Sequence, residues 1–248
     1  STQRAAVLNN HLEVTQQLLT DIADKKVAQP DLIVWPESGT DIDPLQPGLA
    51  ADEITDLVSA TDIPVLIGAT TWGGGDTSKS SGPRNAGILW QRDSGPGEMY
   101  FKNHLVPFGE YIPLRDFIAR YVSRFDQIPS DFIAGTEPGV FKVGKSKIGD
   151  VICFEVAYSD RIQKTVAAGA QVMVVQTNNA TYGNTSQPAQ QFAITRFRAI
   201  ESQRAFLVAS TSGISGLIRN DGTVMAQTKQ FEADTVVGEV ELISDRTF

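Results

Sequence analysis

Strand-length apolar runs alternate with helix-length amphipathic stretches along most of this sequence, and that alternation confines the chain to α/β architectures. Leu8, Leu12, Thr15, Leu19 and Ile22 recur at helical spacing until Pro30 breaks the pattern, and the apolar strand Asp31-Leu-Ile-Val-Trp35 follows. The order repeats with a helix at 49–59, a strand at 64–68 and a Gly/Ser-rich loop at 73–82. Strands are predicted at 85–90, 98–102, 139–143 and 147–153, then a helix to 168, a strand at 171–176 and a helix at 187–204. The inner stripe of that last helix reads as Ala193, Phe197 and Ile200. The remainder, 205–241, reads as short strands around the turn Asn220-Asp-Gly222. Helices covering two mixed sheets packed face to face make a four-layer α-β-β-α sandwich, expected as one domain over 1–248.

The formal charge of −8, from 21 basic and 29 acidic side chains, argues against nucleic acid as a partner, because phosphate binding needs a basic face. Small molecules or lipids fit better. No stretch approaches the roughly 18 apolar residues needed to cross a bilayer, so the chain as it stands is expected to be soluble. Ser1 is followed almost at once by helix, which reads as the cut end of a longer protein.

Three segments share one grammar, in which an apolar strand ends in an abrupt reactive group. They are Asp31-Leu-Ile-Val-Trp-Pro-Glu37, Met99-Tyr-Phe-Lys102 and Val151-Ile-Cys153. Strand ends are where α/β sheets build their sites. Together the three supply a carboxylate, an ammonium and a thiol, a set complete for acyl transfer: Glu37 as general base, Cys153 as nucleophile and Lys102 as oxyanion stabiliser. Cys153 is the chain's single cysteine and stands where a strand gives way to a helix, so the helix dipole is expected to favour its thiolate. The backbone N–H of Phe154 is a candidate second oxyanion donor. Each side chain also has an ordinary structural reading: Glu37 capping a turn, Lys102 solvated on an edge strand, Cys153 in the core. Two histidines and one cysteine cannot compose an ordinary zinc site, and the chemistry needs no metal or cofactor.

The segments Trp35-Pro-Glu37, Lys102-Asn-His-Leu-Val-Pro-Phe-Gly-Glu-Tyr111 and Ile152-Cys-Phe-Glu155 resemble the three catalytic blocks of the nitrilase, or carbon–nitrogen hydrolase, superfamily. The middle block is similar to that of its apolipoprotein N-acyltransferase branch. The resemblance implies a nitrilase-like sandwich, a Glu37–Lys102–Cys153 triad, and supporting carboxylates at Glu110 and Glu155. It also implies a phospholipid acyl donor, a diacylglyceryl lipoprotein acceptor, and a catalytic domain on the extracytoplasmic face of the cell membrane, carried by a transmembrane part absent from this chain. Three positions depart from the pattern. Phe154 replaces the usual Tyr, Asn178-Asn-Ala-Thr-Tyr182 replaces an Asn-Asp-x-Trp-Phe block, and Gln191 stands where many members carry His.

Between Tyr111 and Ile128, apolar residues including Phe117 and Tyr121 interleave with Arg115, Arg120 and Arg124. The segment reads either as a lid touching phospholipid or as an amphipathic helix packed on the core. Phe117, Tyr121, Arg115, Asn178 and Tyr182 are the candidate substrate contacts. Two rival functions remain open: a soluble amidase of the same superfamily, and a catalytically silent domain that binds lipoprotein or partner proteins.

Overall fold

In the computed structural model, which describes residues 2–40, 42–72, 82–115 and 130–245, side chains along the central strands alternate between two apolar interfaces. Strands buried on both faces read as unbroken apolar runs, which is why no polar alternation marks them in the sequence. The first sheet has the order β1-β2-β3-β4, from β1 (Ile33–Val34), β2 (Val65–Trp72), β3 (Pro83–Gln91) and β4 (Gly95–Phe101). β1 runs parallel to β2 and the other pairs are antiparallel. The second sheet contains β5 (Gly139–Val143), β6 (Ser146–Ile152), β7 (Val172–Thr177), β8 (Phe206–Ser210), β9 (Gly216–Ile218) and β10 (Val224–Gln227). Its order is β10-β9-β8-β7-β6-β5, with β6, β7 and β8 parallel.

Three apolar clusters define the layers. Val65 and Ile67 of β2 face outward with Ile88 and Trp90 of β3, against Leu8 and Leu12 of α1 (Thr2–Ala23) and Ile54 and Val58 of α2 (Leu49–Ser59). Leu66 and Leu89, one residue out of phase, face inward and meet Ile152, Val172 and Val174 of the second sheet. Val151, Met173 and Val175 then face the far side, against Ile162 of α3 (Ser159–Ala167) and Phe192 and Ala199 of α4 (Gln187–Ser202). Helix, sheet, sheet, helix is the expected sandwich, and full burial of each large aliphatic side chain contributes roughly 1.5–3 kcal/mol. The sheets approach closely at Gly87, where a Cβ would lie 2.3 Å from Asp150 Oδ2.

Several expectations needed correction. The helix read as running from Cys153 to residue 168 is a 3-10 turn, Cys153–Ala157, followed by α3. The stripe of Ala193, Phe197 and Ile200 is not the inner face of α4: Phe197 is 62% and Ile200 52% exposed. The buried face carries Phe192, Thr195, Ala199 and Ser202 instead. Thr195 and Ser202 return their hydroxyl hydrogens to the carbonyls of Gln191 and Arg198, so they bury without an unpaired donor while their small size lets the helix lie close to the sheet. The Asn220-Asp-Gly222 turn forms as expected, with Gly222 at φ +81° joining β9 to β10. Phe117 and Tyr121 lie outside the described residues. No helix among the described residues is long and apolar enough to cross a membrane.

Candidate active site

Glu37 follows β1 by three residues, and the local chain is fixed against β2. Trp35 N donates to Leu66 O at 2.8 Å and Gly39 N to Gly68 O at 2.8 Å. Ser38 takes the left-handed conformation (φ +54°), which turns the chain away just past the carboxylate. Gly68 is required by this approach, since a Cβ there would fall 2.2 Å from Pro36 O and 2.8 Å from Glu37 Cα. From the other sheet, Gln176 Nε2 donates to Trp35 O at 2.6 Å.

Lys102 sits one residue past β4 and is 1% exposed. Its ammonium contacts Glu37 Oε1 at 3.3 Å and Glu110 Oε1 at 3.0 Å. Glu110 folds back across the Pro-Phe-Gly turn, where Glu110 N donates to Val106 O and Val106 N to Glu110 Oε2, both at 2.8 Å. Asn85 Nδ2, from β3, donates to Glu37 Oε1 at 2.6 Å and to Glu110 Oε1 at 3.0 Å. Burial pulls the Lys102 ammonium toward its neutral form, but the charges of Glu37, Cys153 and Glu110 outweigh this and raise its pKa. It is charged at neutral pH.

Cys153 follows β6 directly and occupies the left-handed region (φ +54°), a conformation that costs a non-glycine residue about 1–2 kcal/mol. Glu155 holds that turn. Its fully buried carboxylate accepts from Ile152 N at 2.8 Å and Tyr100 OH at 2.7 Å on one oxygen, and from Asn103 N at 2.8 Å and His104 N at 3.0 Å on the other. The turn at Cys153 is thereby tied to the loop that follows Lys102. Burial and the charge of Glu37 push the thiol up to about 11, against the opposing pull of Lys102 and Thr177. This overturns the expectation of a thiolate favoured by a helix start, because desolvation and a neighbouring carboxylate dominate a short 3-10 turn. The thiol rests protonated and needs a base.

Glu37, Lys102, Glu110, Cys153 and Glu155 are thus brought to one buried cluster. Glu37 Oε2 also accepts from Asn178 N at 2.8 Å, so Asn178 enters through its backbone. Tyr182 faces the same charges: burial first, then Cys153 and Glu37, raise its hydroxyl pKa. Phe154 is 42% exposed, with its ring edge on Tyr158. Arg115 lies elsewhere and bonds Asp131 at 3.1 Å through Nε. The roles of Asn85, Thr177 and Asn179 were not read from the sequence, where an amide or hydroxyl near a strand terminus carries no signal. Among the described residues no group of three or more His, Cys, Asp or Glu could hold a metal ion. A cavity of about 480 Å³ between α1, β1 and residues 231–238 passes Pro36 and Thr211, next to the Glu37 backbone, and neither Cys153 nor Lys102 lines it.

Asp150, on β6, is completely buried with no partner beyond the neighbouring backbone N–H of Val151, near the unpartnered Oε1 of Gln176. Burial, then the charges of Glu155 and Glu37, hold its pKa well above the ordinary value of 3.8. A raised carboxyl pKa stabilises the fold fully below about pH 4, and that stabilisation is lost as pH rises through the folded-state pKa. In urea titrations, the stability advantage of Asp150→Asn over wild type is expected to grow with pH above about pH 4, by up to about 1.4 kcal/mol per unit. Parallel pH profiles would contradict this.

The carbon–nitrogen hydrolase family profile matches residues 1–244. The chain belongs to that family. An apolipoprotein N-acyltransferase of Mycolicibacterium smegmatis is 36% identical over 247 residues, covering 100% of this chain and 41% of the relative. One of Geobacter metallireducens is 30% identical over 225 residues, covering 88% and 41%. The chain therefore spans about two-fifths of the length of these curated relatives. Among solved structures, an amidase from Nesterenkonia superposes with a TM-score of 0.64 at 16% identity, over 92% of this chain and 81% of the amidase. Saccharomyces cerevisiae Nit3, of the nitrilase superfamily, gives 0.64 at 17%, over 89% and 81%. At these identities the two structures establish the fold alone. It is the nitrilase-type α-β-β-α sandwich.

Proposed function

We propose that this carbon–nitrogen hydrolase domain transfers an acyl chain from a phospholipid, through a thioester on Cys153, to the N-terminal amine of a diacylglyceryl-cysteine lipoprotein. The observation that carries this reading is one buried cluster of carboxylate, ammonium and thiol in a chain similar throughout its length to named apolipoprotein N-acyltransferases. Because the thiol rests protonated, the first step belongs to Glu37. It takes the Sγ proton as sulfur attacks the ester carbonyl, a C–S bond forms, and the carbonyl oxygen becomes an oxyanion. Lys102 stabilises that oxyanion with the N–H of Phe154, and Glu110 keeps the ammonium oriented. Collapse breaks the ester C–O bond, and Glu37 returns its proton to the departing lysophospholipid oxygen.

In the second half the lipoprotein amine attacks the thioester. Glu37 accepts the amine proton, the C–N bond forms, the C–S bond breaks, and the sulfur recovers a proton. In this reading the domain works at the extracytoplasmic face of the cell membrane, on a longer protein that supplies the membrane anchor. Phe117 and Tyr121 meet the lipid, while Asn178 and Tyr182 line the approach to sulfur. Arg115 reaches a phosphate only by leaving Asp131.

The test supplies full-length protein in mixed micelles with phospholipid and a diacylglyceryl lipopeptide. The expected result is N-acyl lipopeptide formed with ping-pong kinetics. Turnover of small amides with no acyl transfer would favour the amidase, and a Cys153 inert to acyl donors and to thiol reagents would favour a silent binding domain.

A further inference from the structure

Gln191 reaches the site from α4 with the direction of its amide already determined. Its Oε1 accepts from Asn179 Nδ2 at 2.7 Å, which turns the NH₂ end the other way, and lies 3.1 Å from Thr177 Oγ1, whose single hydrogen is shared between that oxygen and Cys153 Sγ. That end lies 3.8 Å from Cys153 Sγ. The orientation of Asn179 is fixed in turn, because its Oδ1 accepts from Ser210 Oγ at 2.9 Å. Ser210 Oγ accepts from Gly213 N at 2.9 Å, leaving the hydroxyl hydrogen for Asn179. From Gly213 to the sulfur, four hydrogen bonds therefore run in one sense, each donor pointing toward Cys153. Packing holds the chain together: a Cβ on Gly213 would lie 2.2 Å from Asn179 Oδ1 and 2.6 Å from Ser210 Oγ.

We infer that Gln191 is a further catalytic residue, donating its amide N–H to the Cys153 sulfur whenever that sulfur bears negative charge, with Asn179 and Ser210 as positioning residues. Sulfur is anionic twice in the cycle, when its proton leaves and when the amine displaces it from the thioester. Lys102 is engaged by two carboxylates and serves the substrate oxygen in the proposed mechanism, and Thr177 shares its one hydrogen with Gln191 Oε1, so a further donor for sulfur has its own task. The inference rests on Cys153 being the nucleophile, not on which acyl donor it meets.

Cys153 is the only cysteine in these 248 residues, and mass mapping of the peptide that contains it follows its alkylation by iodoacetamide alone. The ionisable groups that act on Sγ are Glu37, Lys102 and Tyr182, and all stay in place in the test. Alkylation rates of folded wild type, Gln191→Met and Gln191→Ala are measured from about pH 7 to about pH 12.5, a range that spans the wild-type thiol near about 11. Both variants are expected to move the midpoint up by about one pH unit and to slow alkylation at neutral pH about tenfold. Equal rates in denaturant control for reagent access. Superimposed profiles overturn the inference, and so does a slower rate with an unmoved midpoint, which would make Gln191 a packing residue. Should neither variant fold, Asn179→Ala decides by the same criterion. The assay contains no lipid, so its failure leaves the acyl-transfer reading standing, and failed transfer does not touch the alkylation result.

Discussion

Lys102→Met is expected to abolish acyl transfer and to lower the melting temperature by about 10 °C. The substitution keeps the side chain's volume but leaves Glu37 and Glu110 as like charges that share Asn85 Nδ2 in a buried site. Removing one partner of a buried ion pair costs about 3–5 kcal/mol, because the remaining charge has neither water nor a counter-ion. For a domain of this size each kcal/mol corresponds to roughly 2–4 °C. Adding Glu110→Gln to Lys102→Met removes one of the two charges, so the double variant should regain much of the lost stability and none of the activity. Calorimetry of both variants beside acyl-transfer rates separates the two roles of Lys102. A single variant as stable as wild type would show that the two carboxylates do not depend on it.

Glu155→Gln is expected to destabilise the fold by about 2–4 kcal/mol and to slow thioester formation at least a hundredfold. Each oxygen of Glu155 accepts two donors, so an isosteric amide satisfies one pair and turns its own NH₂ against the other. Whichever way the amide points, either the Ile152–Tyr100 pair or the Asn103–His104 pair loses its acceptor. The first pair anchors the strained turn at Cys153 and the second the loop after Lys102, so displacing either separates nucleophile from cation. A misplacement of about 1 Å at such a centre is enough for a hundredfold loss. Denaturant melts and the rate of Cys153 acylation check the two effects. An unchanged rate would remove Glu155 from the support of the site.

The carboxylate, ammonium and thiol of the buried cluster were legible because each follows an apolar run closely, and parallel and mixed sheets present their strand ends to ligands. The layer order was legible because helix period and apolar strand run alternate along the chain, even where the stretch after Cys153 was read as helix and forms a 3-10 turn first. What escaped the sequence depends on contacts between distant strands. Asn85 is an ordinary polar residue at the start of β3 until Glu37 and Glu110 arrive from 48 and 25 positions away. The α4 face was misread because hydroxyls that return their hydrogen to the helix backbone bury as readily as apolar groups, which leaves Phe197 and Ile200 outside. The pKa of Cys153 was misread because the sequence shows a helix start beside it but not the depth at which the thiol is buried, the largest cause of its rise.

Peptide mass mapping of the full-length protein after incubation with phospholipid, with the lipoprotein acceptor left out, examines the thioester most directly. An added fatty acyl mass on the peptide containing Cys153, released by hydroxylamine and missing from Glu37→Gln and Cys153→Ala, is the expected outcome. An unmodified Cys153 under conditions in which the protein completes acyl transfer would contradict the chemistry proposed for this site.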